Sequence, residues 1–392
     1  MIKIQQIKFL AFIVIISTIG QMSAEVYVPS LPYIAQEFHV THGLVQLSIS
    51  YFLFGMAITS IYFGYISDYI GRRKVLVWSS VISTIGTLIC CIAPNIYYLI
   101  AGRLCQGIGF AGVSAMGTAI LRDKFQGMEY AKYMSYLGIA FALSIDIAPF
   151  IGGFLQEWFG WRIIFALIVG YNLLVIYMSV QYRENQHNFK NKVLWHELIV
   201  KMVILSKNKE FVVYSLVNAI IYAVFMAYIA VATFIVQTHL GKSPVWFGTL
   251  TLYLSILFGV FAFINGKLLN YLSLRSATIL GFILVFISAL MLLGFSLVVL
   301  NINTFIISII PMIIGSSFVF ANSSALSFDS IHDNIGIASA IGNTVRLIAG
   351  FVVVFILSMF SSTTAVPLGW TLAILSIMAF ILMYLVSVKQ VS

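Results

Sequence analysis

Residues 64–74 read GYISDYIGRRK and connect two long apolar runs of the chain. Glycine adopts backbone conformations that other residues avoid, so Gly64 and Gly71 permit a tight turn between two helices. The carboxylate of Asp68 can meet a helix N-terminus or a nearby arginine. The basic run of residues 72–74 favours one fixed side of any membrane that the two flanking runs cross. The stretch therefore predicts a short turn between two membrane-spanning helices.

The composition of the whole chain is that of a membrane protein. Of its 392 residues, 61% are hydrophobic and only 8% are charged, whereas a soluble domain carries roughly 25% charged residues. Apolar runs of about 20 residues, each long enough to cross a ~30 Å hydrocarbon core, recur along the sequence. We therefore predict an all-α membrane protein with twelve transmembrane helices in two six-helix halves. The predicted helices cover residues 8–29, 43–66, 75–93, 96–120, 132–155, 161–181, 210–237, 245–266, 276–299, 303–327, 335–360 and 367–388.

The longest connection between the predicted helices, residues 182–209, is rich in lysine and arginine. It divides the chain into an N-terminal six-helix bundle (1–181), a cytoplasmic linker (182–209) and a C-terminal six-helix bundle (210–392). Residues 193–205 have the pattern of an amphipathic helix that lies on a membrane surface. Most basic residues fall in loops on one side of the predicted membrane. This bias predicts a multi-pass protein of the cytoplasmic (inner) membrane with both termini in the cytoplasm.

Four ionisable side chains fall inside the predicted helices, namely Glu25, Arg103, Asp146 and Arg346. Such a group costs at least ~2.5–3.5 kcal/mol in hydrocarbon, so it usually faces a cavity or a partner. A rise of ~1.5 Å per residue places the first three at similar depth in the outer half of the membrane. They could form a structural network or carry a coupled proton, because burial and neighbouring charges both change the proton affinity of an acid. Both interpretations stay open on these grounds.

The turn GYISDYIGRRK resembles the signature loop of the major facilitator superfamily, Gly-x-x-x-Asp-x-x-Gly-Arg-[Arg/Lys]-[Arg/Lys]. Its place between the second and third predicted helices also matches that family. The resemblance implies the major facilitator fold and a secondary transporter. It assigns a gating role to Gly64, Asp68, Gly71, Arg72 and Arg73.

Two further stretches resemble motifs of drug:proton antiporters. Residues 103–112, RLCQGIGFAG, are similar to the fourth-helix motif Arg-x-x-Gln-Gly-x-Gly, whose arginine is implicated in proton transfer in the family. Residues 25–32, EVYVPSLP, resemble the first-helix motif Asp-x-Tyr-x-Pro-x-Leu-Pro of the bicyclomycin/chloramphenicol-resistance (Bcr/CflA) exporters, with Glu25 where Asp is usual. The resemblance implies proton coupling through Glu25 and Arg103. Asp146 lies outside the family pattern, so its candidacy for proton coupling rests on its position alone.

A fourth similarity lies in the predicted fifth helix. Residues 148–153, APFIGG, resemble the antiporter motif Gly-Pro-x-x-Gly-Gly through Pro149, Gly152 and Gly153, with Ala148 at the first glycine position. The similarity is specific in the first half of the chain and only topological in the second, where the copy of the signature loop lacks its aspartate. The motif favours an antiporter over an importer.

Aromatic and polar side chains inside the predicted helices are candidates for an apolar substrate cavity, although the same residue types also pack helices together. The candidates are Tyr27, Tyr51, Phe110, Tyr136, Asn218, Tyr222, Asn343 and Arg346. The sequence has no nucleotide-binding loop, nucleophile motif or metal-ligand spacing. We therefore expect no enzyme activity, cofactor, metal or nucleic-acid partner. We expect a monomer in a lipid bilayer that exchanges protons and a small-molecule substrate.

These observations favour a proton-coupled secondary transporter that exports small, partly apolar compounds by alternating access. The alternative is a proton-coupled importer or exporter of one specific metabolite or siderophore. A channel or a receptor that does not transport is a third possibility, but a static bundle does not need the intact gating loop at residues 64–74.

Overall fold

The protein is described by a computed structural model. It covers residues 2–182, 184, 195–331, 335–360 and 364–387, with the side chains of all of these except residues 2–7, 142, 146, 195, 197, 335 and 387. Over these ranges the chain is helical and contains no β-strand. The helices are α1 (Ile2–Glu25), α2 (Leu31–Glu37), α3 (His42–Ile70), α4 (Arg72–Cys91), α5 (Ile96–Lys124), α6 (Gly127–Phe159), α7 (Trp161–Gln181), α8 (Trp195–Lys207), α9 (Lys209–Phe234), α10 (Pro244–Leu268), α11 (Leu274–Val298), α12 (Ile302–Asp329), α13 (Ile335–Leu357) and α14 (Val366–Ser387).

Twelve segments of the described chain are long and apolar enough to cross a membrane. The first, Lys8–Glu37, runs through α1 and α2, and the seventh, Lys209–His239, combines α9 with a π-helical turn at Ile235–His239. Each of the other ten consists of a single helix among α3–α7 and α10–α14. The prediction of an all-α protein with twelve transmembrane helices is therefore confirmed.

Short polar side chains mark several helix starts. Asn95 precedes α5, and its side-chain oxygen accepts hydrogen bonds from the backbone N–H groups of Tyr97 and Tyr98 at 3.0 and 3.2 Å. Ser243 precedes α10 and accepts from the N–H of Trp246 at 3.2 Å. The first N–H groups of a helix have no partner within it, so these side chains define where each helix begins.

The helices form two compact units. The first contains residues 1–40 and 51–194, and the second contains residues 41–50 and 195–392. Residues 42–50 of the second unit form the start of α3, and the rest of that helix belongs to the first unit.

Both units use glycine to bring two helix backbones together. In the first unit, a Cβ atom on Gly102 of α5 would lie 2.9 Å from the carbonyl oxygen of Gly86 on α4. In the second unit, a Cβ atom on Gly281 of α11 would lie 2.7 Å from the carbonyl oxygen of Gly315 on α12. A larger side chain would not fit at either place, and such small residues are the usual means of close helix packing in membranes.

The first membrane span is broken, which the sequence did not predict, since residues 8–29 were expected to form one helix. Helix α1 ends at Glu25, a 3₁₀ turn covers Val28–Ser30, and α2 begins at Leu31. Proline has no N–H group to continue a helix, and Pro29 lies within this interruption. The break leaves helix-end carbonyl groups inside the first unit, where a donor must satisfy them.

Helix α6 packs directly on that break. A Cβ atom on Gly152 would overlap the carbonyl oxygen of Val26. Gly152 and the adjacent Gly153 are both buried. Pro149 lies within α6, three residues before Gly152. The motif that resembles the antiporter sequence therefore supplies the small residue that lets α6 reach the end of α1.

Helix α8 falls in the region where an amphipathic helix was predicted. Its exposed residues include Ile199, Val203 and Ile204. Leu205 of the same helix is buried and belongs to an apolar cluster with Phe211 of α9. Helix α8 therefore packs on the second unit through Leu205 and leaves these apolar side chains exposed. Its amphipathic character and its location at a membrane surface stay predictions.

Candidate transport site

The signature turn is held by one arginine between two acids. Arg72 Nη2 lies 2.6 Å from Asp68 Oδ1, and Arg72 Nε donates to Asp123 Oδ2 at 2.9 Å. The same guanidinium group also donates to the hydroxyl of Ser67. Gly71 has φ 96°, a conformation that glycine adopts without the strain other residues would meet. Arg72 therefore ties the end of α3 to the end of α5.

Gly64 has a different place from the one expected at the turn. It lies inside α3, and a Cβ atom there would meet no described atom within 4 Å. Only Gly71 is located where the chain changes direction. The positions of Asp68, Gly71 and Arg72 agree with a role at the turn, whereas the local structure does not require glycine at residue 64.

Glu184 completes this turn, and sequence reasoning missed it. Its carboxylate accepts from the backbone N–H of Arg72 at 2.5 Å and from that of Arg73 at 3.4 Å, at the N-terminus of α4. The Arg73 guanidinium donates to the carbonyl group of Val180 near the end of α7. A carboxylate at a helix N-terminus satisfies free N–H groups and interacts favourably with the helix dipole. An isolated acid in a basic stretch was the only signal that could have revealed it.

Tyr182 lies beside the same charges. Burial raises the pKa of Tyr182 to about 12, with Glu184 and Asp123 acting in the same direction and Arg72 against it. Its ring stacks on Phe12, with 5.5 Å between the ring centroids. The phenol therefore stays neutral at physiological pH.

Glu25 and Arg103 lie at the break in the first span. Glu25 is the last residue of α1 and is only 2% exposed, and Arg103 of α5 is fully buried. Arg103 Nη1 donates to the carbonyl oxygen of Ser23 at 3.1 Å. A cation at a helix C-terminus is stabilised by the helix dipole, so Arg103 compensates for the interruption of α1.

Aromatic rings enclose the guanidinium group of Arg103. Its Cζ atom lies 4.2 Å from the ring centroid of Tyr27 and 4.1 Å from that of Phe52. Phe110 packs edge-on against Phe52. Cation–π contacts of this kind stabilise a charge that has left water. The predicted cavity residues Tyr27 and Phe110 are fully buried. Tyr27 contacts Arg103 directly and Phe110 contacts it through Phe52, and their role in a substrate cavity stays a prediction.

A buried hydrogen-bond network fixes the position of Arg103. Its Nη1 atom donates to Gln106 Oε1 at 2.5 Å, and Gln106 Nε2 donates to the hydroxyl of Thr87 at 2.9 Å. Asn172 Nδ2 donates to the same hydroxyl at 3.1 Å, and Thr87 donates to the carbonyl of Ser83 at 2.6 Å. The network links α4, α5 and α7, and no local pattern in the sequence marked Thr87 or Asn172.

Two other predicted residues of the first unit are not fully buried. Tyr136 on α6 is 50% exposed, and its ring contacts that of Tyr133. Tyr51 on α3 is partly exposed. The side chain of Asp146 is outside the described part of the chain, so its predicted role in proton coupling stays a prediction.

The second unit brings together most of the remaining candidates. Arg346 of α13 donates from Nη2 to Asn343 Oδ1 at 2.6 Å. Its Cζ atom lies 5.2 Å from the ring centroid of Tyr222 on α9 and 5.6 Å from that of Phe320 on α12. Asn218, one turn before Tyr222, donates to the carbonyl oxygen of Phe320 at 3.1 Å. Phe320 thereby contacts both Asn218 and Arg346.

Comparison with known proteins agrees with this architecture. A family model for the Major Facilitator Superfamily matches residues 10–354. An uncharacterized MFS-type transporter, YdgK, of Bacillus subtilis (strain 168) is 30% identical over 92% of this chain and 90% of its own. A bicyclomycin resistance protein homolog of Haemophilus influenzae is 22% identical over 95% of each chain. Multidrug resistance protein D of Escherichia coli (strain K12) is 28% identical over 40% of each.

The family-model match includes the signature turn at residues 64–74. These matches confirm a transporter rather than an enzyme, because the family and the relatives are named for transport. The chain belongs to the Major Facilitator Superfamily.

Proposed function

We propose that this transporter is a proton-coupled exporter of small, partly apolar compounds. It would work in the cytoplasmic membrane with both termini in the cytoplasm, as the distribution of basic residues predicts. Relatives named for bicyclomycin and multidrug resistance support an export substrate of this class.

One observation carries the proposal: a buried carboxyl group lies at a break in a membrane-spanning helix, next to a buried arginine. Glu25 ends α1, and Arg103 binds the carbonyl of Ser23 two residues earlier. Burial and nearby cations act in opposite directions on the proton affinity of an acid. A rearrangement at the break would alter both effects, so the carboxyl group could take up a proton in one conformation and release it in the other.

Coupling then follows from competition. The transporter has an inward-facing and an outward-facing state. If protonation of the carboxyl group favours one state and bound substrate favours the other, each ligand shifts the population towards its own preferred state. The proton gradient would then drive export, and no other cofactor would be needed. Discontinuous helices with ionisable groups near the membrane midplane are a recurring arrangement in secondary transporters.

Transport by inverted membrane vesicles tests this proposal. Bicyclomycin and a panel of amphiphilic compounds would be supplied with and without an imposed pH gradient. Glu25→Gln should abolish gradient-driven accumulation while substrate exchange without a gradient persists, because glutamine imitates the protonated acid. Glu25→Asp should keep partial activity with a shifted pH optimum.

The matched control is Glu157→Gln, which neutralises an exposed acid near the end of α6. This variant should behave like the unmodified transporter. Uphill accumulation by Glu25→Gln at the unmodified rate would place the coupling site elsewhere, and Asp146 would be the next residue to test.

One feature of the second unit favours the narrower alternative of a specific metabolite or siderophore. Arg346 supplies a positive charge inside a membrane span, whereas a site for purely apolar compounds has no use for one.

A further inference from the structure

Arg346 lies at the middle of α13, far from either end of that membrane span. A charge at this depth is costly unless a cavity, a partner or water compensates for it. Arg346 is partly exposed, whereas Arg103 is fully buried.

The described neighbours of Arg346 are all neutral. Its one hydrogen bond goes to the carboxamide of Asn343 on the same helix, and its other near neighbours are the rings of Tyr222 and Phe320. No described acidic side chain forms an ion pair with it, and its Nε atom is buried without a hydrogen bond to any described atom. A guanidinium group offers five N–H donors in a planar fork, so most of the binding capacity of Arg346 is unused.

The surroundings indicate what would use that capacity. A carboxylate binds an arginine fork through two parallel charge-assisted hydrogen bonds. Asn343 accepts a hydrogen bond from the guanidinium group of Arg346 and so fixes its position. Asn218 donates to the backbone carbonyl of Phe320 and so fixes that residue. The two rings leave an apolar and aromatic border around the charge. A compound with a carboxylate on a flat apolar body matches both parts of this arrangement.

We propose that Arg346 binds the carboxylate group of the transported compound, with Asn343 as a positioning residue and Tyr222 and Phe320 against its apolar body. This inference rests on the proposed function, because it requires a small-molecule substrate. It narrows the substrate class to carboxylates with an apolar or aromatic part.

Binding to the purified, full-length transporter without a proton gradient tests the inference. The probes are matched pairs that differ only at the acid group, such as 1-naphthaleneacetate and 1-naphthaleneacetamide, with several ring systems in the panel. We expect the carboxylate of at least one pair to bind about tenfold more tightly than its amide, the size expected for a charge-assisted hydrogen bond. Arg346→Gln should remove that preference and leave amide binding unchanged.

Arg346→Lys should keep only part of the preference, because lysine is a point charge and cannot form the two-pronged contact. Lys267→Gln, which removes an exposed charge at the end of α10, is the matched control and should change nothing. The absence of any carboxylate preference in the unmodified protein would overturn the inference. So would a preference that survives in Arg346→Gln.

A structural role for Arg346 makes different predictions. If Asp146 neutralised Arg346, each single neutral variant would lower thermal stability and the Arg346→Gln/Asp146→Asn double variant would restore it, which would overturn the inference. A substrate-binding role predicts that Arg346→Gln is at least as stable as the unmodified protein, because it removes a desolvated charge.

A failure of proton coupling at Glu25 can be distinguished from a failure of carboxylate binding at Arg346. Glu25→Gln should retain the carboxylate preference, since binding requires no gradient. A Glu25→Gln variant that still pumps uphill would overturn proton coupling at Glu25 and leave the role of Arg346 intact.

Discussion

Arg103 and Arg346, both well inside membrane spans, show how the same side chain is used in two ways. Arg103 is fully buried, bonded to a carbonyl of another helix and enclosed between rings at 4.1 and 4.2 Å. Arg346 is partly exposed, and among the described residues its hydrogen bond goes to Asn343 of its own helix. The ring centroids of its aromatic neighbours lie more than 5 Å from its Cζ atom. We interpret Arg103 as a structural residue that stabilises the break in the first span. We interpret Arg346 as a residue that binds the transported compound.

The helices around each arginine explain this difference. Helix α1 is interrupted after Glu25, so its last carbonyl groups need a donor and Arg103 supplies one. Helix α9, the first span of the second unit, continues unbroken through Tyr222 to Phe234. The interior carbonyl groups of a continuous helix accept from N–H groups of the same helix, and α9 contacts Arg346 through the ring of Tyr222.

The turns between the second and third spans of each unit repeat the asymmetry. In the first unit, Arg72 lies between Asp68 and Asp123, and Glu184 caps α4. In the second unit, the guanidinium group of Arg275 donates to the carbonyl of Met383 at 2.9 Å, and no described acid pairs with it. Ionic contacts that could open and close during a transport cycle are thus concentrated in the first unit.

Replacement of Arg103 should lower the free energy of unfolding more than any other change proposed here. A small effect would contradict the difference drawn between Arg103 and Arg346. Arg103→Ala leaves the Ser23 carbonyl and the Gln106 carboxamide without their charged donor. Each such hydrogen bond contributes about 1.5–3 kcal/mol, so we expect a loss of roughly 3 kcal/mol in the free energy of unfolding, with loss of transport. Thermal unfolding of the purified protein measures it. A variant as stable as the unmodified protein would show that Arg103 does not stabilise the break.

Gly152 tests whether the contact between α6 and the break is required. A methyl group at Gly152 would overlap the carbonyl oxygen of Val26, whereas one at Gly342 on α13 would meet no described atom within 4 Å. Gly152→Ala should destabilise the protein by ~1–3 kcal/mol through overpacking. Gly342→Ala should be neutral or should stabilise α13 by up to ~1 kcal/mol, because alanine favours a helix. Equal unfolding temperatures for the two variants would contradict the close contact at the break.

Substitutions in the turns between the second and third spans of each unit should change the free energy of unfolding least. Asp68→Asn removes one charge from the Arg72 pair, and a partly exposed ion pair is worth about 1 kcal/mol or less. We expect near-normal insertion and stability but slower transport, because the contact belongs to the gating turn. Arg275→Gln is the matched change in the second unit and should affect the rate less. Transport by Asp68→Asn at the unmodified rate would reduce the turn to a signal for topology.

The sequence predicted the elements of the fold and the charged members of the site, because both depend on local chemistry. Long apolar runs reveal membrane spans, and the cost of a charge in hydrocarbon singles out Glu25, Arg103 and Arg346. The partners of those charges could not be predicted. Thr87 and Glu184 are joined to their partners across long stretches of sequence, and common residue types carry no local mark of such contacts.

The break in the first span could be predicted only in part from the sequence. Pro29 was visible in the sequence and quoted within a motif, yet residues 8–29 were predicted as one helix. Membrane helices often continue through proline when neighbouring groups satisfy the freed carbonyls. Whether this one continues or stops depends on Arg103 and Gly152, which come from α5 and α6.

The central claim is that Glu25 exchanges its proton for substrate. The most direct test is to measure whether protons are released when substrate binds. A saturating transported compound would be added to purified transporter in lightly buffered detergent solution at a pH where the carboxyl group is protonated, and the released protons would be counted with a pH indicator. The account predicts a release of about one proton per transporter, because substrate and proton favour opposite states. Glu25→Gln should bind the compound and release none. The same release from Glu25→Gln, or none from the unmodified protein despite binding, would contradict the account.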